Sequence, residues 1–520
     1  MDNRLDLING NVANSLLLNN MYGNKSNELL LNMPIPNGTS LTVTSQGSGT
    51  GVGQLYLTVS KPLTLTLDGN AYFYTDVSGT AGQSSSTDIT TYGSFVYRYF
   101  KCTSGTSNLT FSDNTAMTYL GDINSGGGGW PGYTWAGSSS ISNIPILNMS
   151  NWNFPNCTHI GIFYSQICHF DGSMSAFSSS LERILLSTTG TFNYNISEIP
   201  STCTQFFTNA GNGSGNISTL PPNIKELGLS GVNTVTGDIA NLPSSLYWIY
   251  ALGTNTITGD ISTFKSTMVH ADIEGNNTLY GDISNIDASM TLFYIQGSNT
   301  ITGDIGTLKP AINTFYVTGN SSIYGNVANL PSSITQVFIQ GYNTVTGDIA
   351  NFPSTLRFFG LYGSNTLYGD IRNLNLNINN LQVYGNNTLS GVLDSSIHAL
   401  TSLSSLMISG KNTISGDLAL APPNLYGLQI DGSSTINTYT AGRVWSNSFN
   451  YLYFNPVSPG GLNSTKMDNL FIDVSASVRD LSSAGYYGTL YLKGSNAAPT
   501  AASLVARTAL TAEHYNITTN

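Results

Sequence analysis

Hydrophobic and polar positions alternate in short runs along most of the chain, and between residues 225 and 435 the alternation is written out ten times. The clearest copies are ITQVFIQGYNTVTGDIANFPSTL (334–356) and MTLFYIQGSNTITGDIGTLKPAI (290–312). A glycine marks each copy, from Gly231 to Gly432, at steps of 22 residues with a single step of 25 into Gly410. A second column stands six positions later, mostly Gly-Asp, from Gly237-Asp238 to Gly416-Asp417. A fixed period of this length is the signature of a solenoid, in which each unit buries its apolar side only against its neighbours.

Within one copy, Phe293 and Ile295 alternate with Tyr294 and Gln296. Ile301, Gly303 and Ile305 then alternate with Thr300, Thr302 and Asp304. Period-two patterning predicts two short β stretches facing each other across a core of Phe293, Ile295, Ile301 and Ile305. Gly297-Ser298-Asn299 between them is turn chemistry. Leu242-Pro243-Ser244-Ser245-Leu246 returns the chain to the next coil, and its proline argues against a long helix there. One coil cannot close a core; stacked coils can, each buried Leu, Ile or Phe contributing roughly 1.5–3 kcal/mol.

This stretch resembles the leucine-rich repeats. Ile334-x-x-Val337-x-Ile339 matches the LxxLxL strand, and Asn343-x-Val345 the NxL that follows it. Val345-Thr346-Gly347-Asp348-Ile349 looks like the second-strand LxGxI segment of the plant-type class, and Leu-Pro-x-x-Leu resembles the bacterial LPxxL class. One extra residue precedes the asparagine, so the asparagine ladder of that family is expected to be built differently here. The fold class expected is mainly β: a leucine-rich-repeat-like β-solenoid of 22-residue repeats, preceded by a small β-sandwich-like domain and followed by an α/β cap.

The flanking segments divide accordingly. Residues 1–35, with LLL at 16–18 and 29–31, read as an attachment or oligomerisation segment, or equally as an N-terminal strand pair. Residues 36–135 form an all-β module of alternating runs such as LTLTLDG, FVYRYFKC and NLTFSD, separated by Gly, Ser and Asn. The glycine-rich SGGGGWPGYTW (125–135) is a linker or exposed loop, without the Gly-Lys-Ser/Thr ending of a phosphate loop. Residues 136–224 hold degenerate first repeats, 225–435 the regular ones, and 436–520 the C-terminal repeats and cap. In that cap Met467, Leu470, Phe471 and Val474 have helical spacing, PTAASLVARTALTAEH is a second helix, and GTLYLKG and YNITTN are strands.

Composition narrows the role. Only 9% of the 520 residues are charged, 28 acidic against 17 basic, for a net charge of −11. That balance argues against nucleic acid as a partner. The start MDNRLDLING lacks the basic and apolar regions of a secretory signal, and no run of 18 apolar residues exists. NLTFSDNTAMTYLGD (108–122), the NTVTGDIANLPSSL repeats and the TLYLKGSNAAPTAASLVARTAL tail together resemble structural proteins of phages infecting Bacteroidetes-type bacteria, of the tail fibre or spike kind. That resemblance implies a virion-surface location, attachment to other virion proteins through the N-terminal region, host attachment through the solenoid, and a homotrimer. A bacterial cell-surface or secreted adhesin and a purely structural capsid component remain the alternatives.

The candidate ligand-binding residues are outward positions of the first β stretch. They are Trp248, Tyr250, Tyr294, Gln296, Tyr316, Phe338, Gln340, Arg357, Phe358, Tyr362 and Tyr384, together with Asp272, Glu274, Thr318 and Gln382 in the same columns. Stacked coil on coil, they line up into an aromatic and polar stripe. Aromatic faces beside amides suit a host surface glycan, whose C–H faces stack while its hydroxyls bond; a protein receptor is the other ligand. The competing reading is a cross-strand ladder that only stabilises the sheet. The aspartate column (Asp238, Asp260, Asp282, Asp304, Asp348, Asp370, Asp417) is expected to accept hydrogen bonds from turn N–H groups, calcium bridging being the alternative. The Thr/Tyr column (Thr236, Thr258, Tyr280, Thr302, Tyr324, Thr346, Tyr368) faces outward on the other side.

Cys102, Cys157, Cys168 and Cys203 form no CxxC pair and read as buried thiols, with a 168–203 bridge as the alternative. The five histidines make no metal pair or triad order. Catalytic residues, metal ligands and cofactors are therefore none, and the chain is not expected to be an enzyme. A polysaccharide depolymerase, its carboxylates hidden among many aspartates, is the enzymatic rival.

Overall fold

The structure is a computed structural model. It describes residues 40–520 apart from 45–51, 61, 77, 91–95, 114–116, 122–145, 149, 152–153, 163–168, 176, 178, 188–191, 458–459, 479–480 and 482–486. The expected attachment segment, the glycine-rich stretch 125–135 and Cys168 lie outside the described residues. The chain divides into two compact units, residues 1–257 and 258–520.

The first unit opens with two β-sheets, the sandwich that the alternating runs predict. One sheet is antiparallel in the order Ser86–Ile89, Leu63–Leu67, Thr106–Phe111, Ser40–Thr44 and Ile146–Asn148, with His169–Asp171 added in parallel. The other runs Ala71–Tyr74, Val96–Cys102, Gly53–Val59, Met117–Gly121. Leu65, Leu67, Phe73, Phe100, Leu109 and Phe111 fill the space between them, with Phe111 and Phe154 edge to face at 5.1 Å. Neither sheet stops at the module. Met117–Gly121 pairs in parallel with His159–Ile162, which pairs with Arg183–Ser187, then Gln205–Asn216 and Glu226–Gly231. The sandwich thus passes directly into coils and covers their first edge, which is what a solenoid's end requires.

The second unit is the regular solenoid. The strands His270–Asp282, Leu292–Asp304, Thr314–Asn326, Gln336–Asp348, Phe358–Asp370 and Asn380–Leu393 stack in parallel. The two β stretches expected of a coil are one strand bent at its marker glycine. Gly341 has φ +152, and a Cβ there would lie 2.5 Å from Ser321 O, so only glycine lets neighbouring coils approach at the bend. The register slips at that corner. Ile295 pairs with Val317, 22 residues on, but Gly303 pairs with Ile323, 20 residues on. Phe293, Ile295, Ile301 and Ile305 are all buried, as the alternation predicts.

After each second stretch comes one turn of 3-10 helix, such as Ile305–Thr307, then a turn closed by Ile312 N–H to Lys309 O at 3.1 Å. No long helix forms where the prolines stand. The aspartate column caps these turns as expected: Asp238, Asp260, Asp282, Asp304, Asp348, Asp370 and Asp417 each accept from the N–H two residues on, at 2.8–2.9 Å. Asn326 does the same.

The asparagine ladder is present despite the extra residue. Asn343 is fully buried; its Oδ1 accepts from Ile323 N–H at 3.1 Å and its Nδ2 donates to Tyr362 O at 3.2 Å. Asn365, Asn387 and Asn412 repeat both bonds, and Ser321 and Ser434 hold the column in their coils. The glycine corner absorbs the added residue.

The cap follows the sequence pattern. Strands Tyr451–Phe454, Gly488–Leu492 and Tyr515–Thr519 extend the parallel sheet. Helix Ser464–Ser477 buries Met467, Leu470, Phe471 and Val474, and helix Leu504–Ala512 follows a short 3-10 turn capped by Thr500. The Arg443 guanidinium is buried over the Trp445 ring at 3.8 Å and donates to Ala419, Ala421 and Pro422 carbonyls. Cys102, Cys157 and Cys203 are buried free thiols, so Cys203 forms no bridge; burial pushes the Cys157 and Cys203 thiols up to about 12.

Candidate functional site

In the first unit, Trp248 and Tyr250 stand two residues apart on the outward side of their strand, both half-buried, with ring centres 5.9 Å apart. Trp248 also packs against Phe207 at 5.1 Å.

In the second unit the remaining candidates form a ring stack. Tyr294 and Tyr316 stack at 3.8 Å and 13°, and Tyr316 and Phe338 at 4.4 Å and 10°. The register explains this: Tyr294 pairs directly with Tyr316, and Tyr316 with Phe338. The column then meets Gly360, where a Cβ would lie 2.6 Å from the Phe338 ring. The stack moves across the strand at that point, Phe338 meeting Tyr362 at 5.4 Å and 45°, and Tyr362 stacking on Tyr384 at 4.5 Å. Phe358 flanks Phe338 at 6.2 Å. Gln296 and Gln340 are half-buried along the same face. Arg357 lies apart from the stack, exposed, with its Nη1 donating to Asn377 O at 3.3 Å.

Outward direction here does not mean open ring faces. Tyr294, Tyr316 and Phe338 are 3%, 8% and 4% exposed, because neighbouring rings cover one another. A ligand on this side meets ring edges and amides. Hydroxyls and amides cross-link farther along. Tyr362 donates to Gln382 at 2.6 Å, and Gln429 accepts from Tyr384 and Tyr451, each at 3.2 Å. Tyr453 and Tyr491 add another stacked pair at 4.5 Å. Gln429, Tyr451, Tyr453 and Tyr491 were not singled out from the sequence, although their alternation continues the columns.

Asp272 and Glu274 occupy two neighbouring outward positions of the strand His270–Asp282. Burial raises the Asp272 carboxyl well above its ordinary range, and the Glu274 charge beside it adds to the rise. Burial lifts Glu274 to about 7. Burial holds His270 neutral, down to about 3. Among the described residues, no group of three or more His, Cys, Asp or Glu is placed to hold a metal ion.

The other outward face is built from the second stretches. Thr300, Thr302, Thr344, Thr366 and Thr388 are exposed, as are Tyr280, Tyr324 and Tyr368. No charged side chain stands between Thr258 and Tyr368 in the Thr/Tyr column.

No family model matches the sequence, and no curated protein matches it. Among solved structures, the fold is similar to a plant peptide hormone receptor, RGFR1 in complex with RGF2, at 16% identity and TM-score 0.42, over 70% of this chain and 69% of that one. A TDR receptor is similar at 14% identity and TM-score 0.43, over 66% and 65% of the two chains. An internalin from Listeria monocytogenes is similar at 21% identity and TM-score 0.34, over 50% of this chain and 76% of that one. The bent parallel coils, the asparagine ladder and the capped 3-10 turns make this a leucine-rich-repeat-like solenoid by its own geometry. No helix among the described residues is long and apolar enough to cross a membrane.

Proposed function

We propose that the chain is a receptor-binding protein of the virion spike or fibre type, which attaches to a host-cell surface glycan through its solenoid. The observation that carries this reading is the stack Tyr294–Tyr316–Phe338–Tyr362–Tyr384, a pre-ordered floor with ring centres 3.8–5.4 Å apart. Rings locked by their neighbours lose little freedom on binding, so weak edge contacts are not offset by ordering costs. Gln296 and Gln340 provide amide donors and acceptors at its margin. Several copies on one particle would convert weak single contacts into firm adhesion. The resemblance of 108–122, the repeats and the C-terminal tail to phage structural proteins is what supports the virion setting, and the low charge accords with a surface role.

The test is adsorption of purified protein to candidate host cells, wild type beside Gln296→Ala/Gln340→Ala and Tyr384→Phe. These positions are half-buried, so the variants leave the stack standing. Binding by wild type that falls tenfold or more in the double variant supports the reading. Equal binding by all variants overturns this face as the receptor site.

A further inference from the structure

The Thr/Tyr column carries a pattern that the fold does not require. The coil repeats every 22 residues, yet Thr258, Tyr280, Thr302, Tyr324, Thr346 and Tyr368 alternate strictly, a period of two coils. Packing does not force the alternation, since tyrosines in consecutive coils are tolerated elsewhere, as Tyr294 and Tyr316 are. The three tyrosines are also free. Tyr280, Tyr324 and Tyr368 are 49%, 49% and 46% exposed, and none makes a ring contact or side-chain hydrogen bond with a described residue. Two strand spacings separate successive rings, no less than about 9.5 Å, so they cannot cover one another.

Each ring has equivalent neighbours. Asp304, Tyr324 and Thr344 stand side by side on three adjacent strands, and so do Asp348, Tyr368 and Thr388. Tyr280 pairs with Thr300 in the same way. Oδ1 of Asp304 and of Asp348 is held by its cap at 2.8 and 2.9 Å, while Oδ2 of each makes no hydrogen bond with a described residue. An open aromatic face, a carboxylate acceptor and a hydroxyl in one row are the elements of a sugar subsite.

We propose that this face is a second binding surface, for a neutral linear polysaccharide laid across the coils on the Tyr280, Tyr324 and Tyr368 subsites. The charge distribution selects the occupant. Rings and hydroxyls on the face are uncharged, and the carboxylates beside them repel acidic polymers and nucleic acid. Equally spaced, equivalent subsites match a ligand that itself repeats, and their sum gives useful avidity only for a chain long enough to reach several. The proposal does not depend on the ring stack of the first face.

The experiment is affinity electrophoresis and pull-down of the full chain on neutral polysaccharides: β-1,4-glucan, β-1,3-glucan, mannan and dextran, with alginate as the acidic control. Wild type is compared with Tyr324→Ala, with Tyr280→Ala/Tyr324→Ala/Tyr368→Ala, and with Gln296→Ala/Gln340→Ala. The expected result is retention on at least one neutral polymer, a several-fold loss for the single variant, and at least a tenfold loss for the triple. Long oligosaccharides should compete and monosaccharides should not. Binding that the glutamine variant loses and the tyrosine triple variant keeps belongs to the first face and overturns the assignment to this one. A melting curve close to that of wild type is expected for the triple variant, since the half-exposed rings make no ring contact or side-chain hydrogen bond with a described residue. Absence of retention on every neutral polymer, retention on alginate alone, capture only by a protein partner, or undiminished binding by the triple variant each overturns the proposal.

Discussion

Removing a single ladder asparagine should cost more than any exposed substitution in the solenoid. Asn343 is fully buried and satisfies two backbone groups in different coils, Ile323 N–H at 3.1 Å and Tyr362 C=O at 3.2 Å. Asn343→Ala strands both. The Ile323 N–H is buried and has no water to turn to, while the Tyr362 carbonyl is at the edge of the core and recovers part of its hydration. At roughly 1–3 kcal/mol for a fully stranded group and less for the carbonyl, the loss should be about 2–4 kcal/mol. Asn343→Ser should cost about half as much. Ser321 shows why: its Oγ accepts from Ile301 N–H at 3.2 Å, but it bonds back to Asn299 O at 3.4 Å, within its own side of the stack, rather than forward. Asn320→Ala, at an exposed position in the same solenoid, is the control and should lie within about 0.5 kcal/mol of wild type. The assay is urea unfolding by circular dichroism, with the slope checked for constancy, because a smaller slope would mean that coils come apart in pieces. If Asn343→Ala unfolds at the same urea concentration as Asn320→Ala, the ladder does not hold the coils together.

Two further perturbations test the turns and the buried acids. Asp348→Ala should destabilise by about 1 kcal/mol through loss of its bond from Ala350 N–H at 2.9 Å, while Asp348→Asn should stay within a few tenths, as Asn326 already performs that role; equal losses in urea unfolding would mean that charge, not the acceptor, matters. Glu274 has its carboxyl raised by burial from 4.5 to about 7, so the protonated form favours the fold, and its contribution is complete below pH 4.5 and lost as pH rises through about 7. Glu274→Gln should therefore gain on wild type between pH 5 and 8 by on the order of 2–3 kcal/mol, read as diverging melting temperatures; relief of the Asp272 carboxyl from the Glu274 charge works in the same direction, His270, depressed to about 3, titrates below this range, and parallel curves would show Glu274 to be ordinary.

Much of the fold was legible because the repeat is written ten times, so that noise at one coil is averaged by the others. The alternation placed Phe293, Ile295, Ile301 and Ile305 inside, and helical spacing placed Met467, Leu470, Phe471 and Val474 against the cap. Alternation assigns a side, but it does not say what covers that side. Asp272 and Glu274 read as ordinary outward polar residues, yet Asp272 is 2% exposed. The asparagine column was visible, but whether its amides still reached both neighbouring coils depended on how the corner at Gly341 used the extra residue, a matter of φ +152 rather than of residue type.

The two tyrosine files show the same limit and the reason for it. Both point outward, but one carries a ring in consecutive coils and the other a ring in every second coil. The spacing of rings along the stack separates them, and register sets their neighbours. In the first stretch each residue pairs with the one 22 positions on, so Tyr294 meets Tyr316 and the rings bury one another at 3.8 Å. Past the glycine corner pairing falls to 20 positions, so Tyr280 meets Thr300 and Tyr324 meets Thr344. A slip of two residues keeps each side chain on its face but changes its neighbour. With rings in consecutive coils one column becomes a ladder that stiffens the sheet; with a threonine in every second coil the other stays a row of single rings open to solvent. What decides which tyrosines can take a ligand face on is therefore the threonine standing between them in every second coil, while the corner sets Asp304 and Thr344, and not Thr302 and Thr346, beside Tyr324.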